Sequence, residues 1–149
     1  MTAELKLRTL AASDATLQSY LLGTNGTFRW FDRQLPPKYI TEGACVRVLR
    51  VSTGPRSYFQ DRISQLSNPM FQIDVLDYDA EEARAVVAAI TTWLTTVDLA
   101  SGDQFGSPPV TPPQAPSFVE NQRAGMDYQI QPPAYVETIQ VRIFNMEDQ

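Results

Sequence analysis

Five carboxylates crowd into nine residues: Asp74, Asp77, Asp79, Glu81 and Glu82. Side chains of this type at this density can hold a divalent cation or share proton-transfer work. The spacing Asp77-x-Asp79-x-Glu81 matches the first ligand positions of a calcium loop, which also requires Gly at its sixth position and Glu at its twelfth. Glu82 and Ala88 stand there instead, so the calcium pattern fails. A helix start accounts for the same residues. Asp79 acts as N-cap, Glu82 completes a D-x-x-E capping box, and Glu81 and Glu82 suit the positive end of the helix dipole. Glycosidase-like chemistry needs two carboxylates whose environments differ. Nothing in this sequence isolates two of them in an apolar setting.

Other catalytic chemistry is excluded by residue type. The chain has 149 residues, no histidine and one cysteine. Ser-His-Asp and Cys-His nucleophile pairs and His-ligated metals are ruled out. So are an internal disulfide and a Cys-rich zinc site. Cys45 sits in a β-rich run and reads as a small buried hydrophobe. Gly23-Thr24-Asn25-Gly26 lacks a Walker lysine and does not fit G-x-G-x-x-G, so it reads as a turn. No catalytic, cofactor-binding or metal-binding residue is expected, and the chain reads as a non-enzyme.

Charge is placed unevenly. The net charge is −5, which disfavours a generic polyanion binder. Residues 29–62 hold seven basic and three acidic side chains, whereas residues 74–148 hold three basic and twelve acidic ones. Arg47, Arg50, Arg56 and Arg62 lie among Phe28, Trp30, Phe31, Tyr39, Tyr58 and Phe59. Three readings fit: a solvated face, a single-strand nucleic-acid surface, or an inter-subunit surface. In the last, the arginines meet Asp77, Asp79, Glu81 and Glu82 of the next copy, as a head-to-tail ring requires.

The elements that position these groups follow from periodicity. Residues 3–22 are helical, with Leu7, Leu10, Leu17 and Leu21 near one face. Ser13 is the expected cap of a second short helix. Residues 27–31 are β-prone and Pro36-Pro37 forces an extended connection. Residues 44–51 form a Val/Arg-rich strand in which Arg47 and Arg50 have opposite parity, so both faces carry protein or solvent. Residues 62–66 are compatible with a helical turn. Residues 70–77 form the clearest strand, with Phe71, Ile73 and Val75 on one side and Gln72 and Asp74 on the other. An amphipathic helix spans 80–97.

Residues 98–118 contain five prolines and two glycines and read as a long loop, the kind often kept for function. Phe105, Pro108, Pro109, Pro112 and Pro113 are its candidate partner-contact residues. Met126, Tyr128 and Ile130, then Ile139, Val141 and Ile143, read as a hairpin joined at Pro132-Pro133. The expected fold class is α+β. It has an antiparallel or mixed sheet of about four to five strands, two main helices on one face, and the Pro-rich loop before a C-terminal hairpin. No apolar run reaches the ~18 residues of a membrane span, and Met1–Lys6 lacks the basic and apolar regions of a secretory signal.

The order of these elements resembles a known family. A leucine-bearing helix ends in Leu21-Leu22-Gly23. A basic, aromatic segment runs through Leu35-Pro36-Pro37 into a Val/Arg strand. Phe71-Gln72-Ile73-Asp74-Val75 leads into Ala80-Glu81-Glu82-Ala83-Arg84-Ala85-Val86-Val87, and Ile139-Gln140-Val141-Arg142-Ile143 closes the pattern. This resembles the tail terminator (tail completion) proteins of long-tailed bacteriophages and related gene-transfer particles.

The resemblance implies one domain over residues 1–149 and a hexameric ring that caps the tail tube at the head–tail junction of the virion. The implied partners are further copies of the chain, the tail tube protein and neck or head-completion proteins. DNA passes through the lumen without specific binding, and no membrane is involved. No cofactor is implied. A head-completion or stopper ring of the neck is the alternative, followed by a non-viral α+β binding module.

Overall fold

The computed structural model describes residues 3–52, 56–58, 65–67, 69–98, 103–104, 117–143 and 146–147. Three α-helices stand in it, α1 (Ala3–Ala12), α2 (Ala15–Leu21) and α3 (Ala80–Leu94), with a 3-10 helix at Pro37–Glu42. Five strands make the main sheet: β1 (Trp30–Asp32), β2 (Cys45–Ser52), β3 (Met70–Asp77), β4 (Ser117–Asp127) and β5 (Ala134–Ile143). Their spatial order is β1-β2-β3-β5-β4. β1 runs parallel to β2 and the other neighbours are antiparallel. The fold is therefore α+β with a mixed five-stranded sheet, as the periodicity predicts.

One face of the sheet carries all three α-helices. Val46, Val48, Phe71, Ile73, Val75, Ile139, Val141 and Ile143 point into it. Leu7, Leu10, Leu17 and Leu21 meet them from α1 and α2, and Val86, Val87, Ile90 and Trp93 from α3. Alternation along each strand and the 3.6-residue period along each helix bring these side chains together. Trp30 lies at the centre, with its ring edge-on to Trp93 at 6.0 Å and stacked with Phe28 at 6.3 Å. Arg8 Nε donates to the Trp30 carbonyl at 3.1 Å and ties α1 to β1.

The ends of the helices have local causes. Asp79 accepts from the Glu81 N–H at 3.0 Å and caps α3. The cap of α2 is Asp14, which accepts from the Leu17 N–H at 3.0 Å. This corrects the expectation of Ser13, whose hydroxyl donates back to the Leu10 carbonyl instead. After α2 the chain turns at Gly23–Gly26. Gly26 takes φ +84, a conformation other residues rarely adopt.

Three further departures lie beyond β2. Of the expected helical turn over 62–66, residues 62–64 lie outside the described residues, and Gln65 and Leu66 lie in a short strand, Gln65–Ser67, paired with Arg56–Tyr58 and Met146–Glu147. Within the Pro-rich stretch, Asp103–Gln104 pairs with Val97–Asp98. The first hairpin strand, β4, begins at Ser117 and ends at Asp127. Tyr128 and Ile130 therefore belong to the connection, with Tyr128 exposed and Ile130 buried. Ile130 joins Ile40, Cys45, Leu76 and Ala134 in a second, smaller core.

Candidate assembly surface

The sheet face opposite the helices is built differently. Register places Arg47, Asp74, Thr138 and Arg123 side by side across four strands. Asp74 is 1% exposed, so its charge must be compensated locally. Arg47 donates to Asp74 Oδ2 through Nη2 at 2.8 Å and through Nε at 3.1 Å. Thr138 Oγ1 and Gln72 Nε2 donate to Asp74 Oδ1 at 2.7 and 3.0 Å. Arg47 also stands 3.7 Å from Asp127 at the end of β4. Charge-assisted bonds of this kind fix strand register as well as adding stability.

An open cleft of about 530 Å³ lies over this row. Arg47, Asp74, Arg123, Asp127 and Tyr128 are among the residues that line it. The smaller core, covered by Pro37–Glu42, lies at the end of the face where β2 begins and β3 ends.

The candidate residues separate once placed. Arg50 points to the helical face, as its parity requires. Its Nε lies 3.2 Å from Glu4 of α1, and its guanidinium lies 5.4 Å from the centre of the Phe71 ring. Both Arg47 and Arg50 are thus engaged within their own chain. Arg56 sits in the short strand opposite Ser67. Arg62, Phe105, Pro108, Pro109, Pro112 and Pro113 lie outside the described residues.

On the acidic side, Asp79, Glu81 and Glu82 are exposed at the start of α3, while Asp77 is buried. Asp77 Oδ1 accepts from the Asp79 N–H at 3.0 Å, and Oδ2 has no donor among the described residues. Burial pushes the Asp77 carboxyl above its ordinary range. Among the described residues no three potential metal-ligating side chains come together.

The basic and aromatic segment is largely absorbed by the fold. Arg29 is buried and donates to the Ala44 and Tyr20 carbonyls, each at 2.8 Å. Phe28 and Trp30 are core residues, so neither can act as a stacking platform for bases. Cys45 is fully buried and burial pushes its thiol up to about 12, which keeps it protonated. Arg123 was not singled out by sequence. It follows the polar residues Glu120, Asn121 and Gln122, whose lack of apolar alternation hides the strand.

No protein-family model matches this chain, nor does any curated protein. A solved structure does share its fold. That structure is described as the virion of a native gene transfer agent (GTA) particle. The matching chain in it has a TM-score of 0.54 and 18% identity, covering 96% of this chain and 91% of that one. At this identity the likeness is one of fold.

Proposed function

We propose that this chain is a structural protein of a phage-like particle, and within that class a tail terminator whose ring closes the tail tube at the head–tail junction. The observation that carries the reading is the shared fold, which runs nearly end to end through a chain of a gene transfer agent virion. The order of elements, which resembles the tail terminators, gives the finer assignment. Its partners are then further copies of the chain, the tail tube and the neck.

The surfaces available for such contacts are uneven. Asp79, Glu81 and Glu82 are accessible at the start of α3. The arginines expected to meet them in the next copy are Arg47, Arg50, Arg56 and Arg62. Arg47 and Arg50 already hold in-chain partners. The Pro-rich stretch with Phe105, Pro108, Pro109, Pro112 and Pro113 is the proposed partner-contact loop, and deletion of residues 106–116 should weaken assembly.

The deciding experiment mixes the purified protein with tail tubes and images them by electron microscopy, alongside native mass of the protein alone. Rings of about six copies at one tube end support the terminator. Rings that bind the neck and never the tube end assign the chain to a head-completion or stopper role.

A further inference from the structure

β4 closes one side of the main sheet. It is eleven residues long and pairs only with β5 among the described strands. From Asn121 to Asp127 its register with β5 is unbroken, so its outer N–H and C=O groups are regularly spaced. Residues 121–126 are exposed. A long free edge with no proline is a template for association unless something covers it. The bulge between Val119 and Asn121 restricts pairing to the later part of the strand.

Arg123 sits in the middle of that edge. It makes no ion pair with a described residue, unlike Arg47 and Arg50. Tyr128, 70% exposed, lines the same cleft, whereas the exposed Val119 and Met126 pair with Val141 and Tyr135 and so lie on the helical face of the strand. A free guanidinium beside outward backbone N–H groups is an acceptor-seeking surface. Carboxylates satisfy both kinds of donor. The same chain presents them elsewhere: Glu81 and Glu82 are exposed, in no close ion pair with a described residue, beside Asp79 and the exposed Tyr78 ring.

We infer that the free edge of β4, centred on Arg123, receives the acidic start of α3 from a second copy of this chain. The two patches are distinct, so each copy gives one and takes one, and the contact propagates head to tail until it closes. The Tyr128 ring adds apolar contact beside the charges, and the charges set orientation. This deepens the ring reading and rests on it.

Charge reversal tests the contact. Arg123→Glu should raise the concentration of half-assembly at least about tenfold, or, if rings form only on tail tubes, weaken binding to them by that factor. Glu81→Arg with Glu82→Arg should do the same, and the triple variant should recover most of the loss. A second measurement avoids large electrostatic changes. In the full-length chain, Arg123→Cys with Glu82→Cys should give a ladder of cross-linked oligomers on oxidation, since Cys45 is buried. Either single variant should give none beyond dimers. Rings that form normally with Arg123→Glu, or a triple variant without recovery, overturn this contact and leave the ring reading intact. A wild-type chain that forms no ring, alone or on tail tubes, removes both.

Discussion

Arg47 and Asp74 face each other on adjacent antiparallel strands, with Nη2 of one 2.8 Å from Oδ2 of the other. The pair is asymmetric, because the Arg47 side chain is 25% exposed and that of Asp74 is 2% exposed. Removing the arginine therefore strands a buried charge, while removing the acid returns the arginine to solvent. Arg47→Ala should cost about 2–3 kcal/mol, since Thr138 and Gln72 still donate to Asp74. Urea unfolding of Arg47→Ala, Asp74→Ala and the double variant should give a coupling of about 1–3 kcal/mol. A coupling near zero would mean the pair contributes nothing beyond solvation.

Gly43 and Arg29 make a second dependence. Gly43 takes φ +143, and a Cβ there would lie 2.8 Å from Arg29 Nη2. Arg29 is held in place, because its Nε and Nη2 each donate to a backbone carbonyl. Gly43→Ala should destabilise by about 1–3 kcal/mol. Gly125→Ala on the β4 edge meets nothing within 4 Å and should change stability by less than about 0.5 kcal/mol. Thermal melts of the two variants side by side test this, and equal losses would rule out the steric explanation.

The contrast between these sites shows what was readable beforehand. β3 and α3 were legible because Phe71, Ile73 and Val75 alternate and Ala83, Val86, Val87 and Ile90 recur at the helical period. Each period is imposed by one buried face. β4 was missed over most of its length because an edge strand exposed along Asn121–Met126 has no buried face to leave such a trace. The cap of α2 was misplaced by one residue, since Ser13 and Asp14 are both good caps and only backbone geometry chooses between them. At the candidate surface, the accessible acids were legible in Glu81 and Glu82. The engagement of Arg47 and Arg50 was not, because their partners Asp74 and Glu4 are 27 and 46 positions away in the chain.

Asp77 carries a pH dependence of definite sign. Burial raises its folded-state pKa above the ordinary 3.8. Between those two values the folded chain binds more protons than the unfolded one, so stability falls as pH rises through the window. The contribution is present below the unfolded value and lost above the folded one. Asp77→Asn keeps an acceptor for the Asp79 N–H and removes the charge. The variant should melt higher than wild type at pH 7, with the advantage shrinking towards pH 3.5. A difference independent of pH would show that the charge of Asp77 is not its cause.

The engagement of Arg50 changes how assembly variants must be read. Arg50→Glu places a carboxylate where a guanidinium now meets Glu4 and the Phe71 ring. It should lower the stability of the isolated chain, so a loss of assembly in that variant does not by itself mark an interface. Glu81→Gln with Glu82→Gln acts on exposed groups that only complement the α3 dipole, worth under about 1 kcal/mol each. Chemical unfolding should therefore find that double variant near wild type, and Arg50→Glu clearly weakened. If the acids serve assembly, the double variant should nonetheless associate at higher concentration than wild type in a sedimentation series. Unchanged association by a normally folded double variant would exclude the start of α3 from the interface.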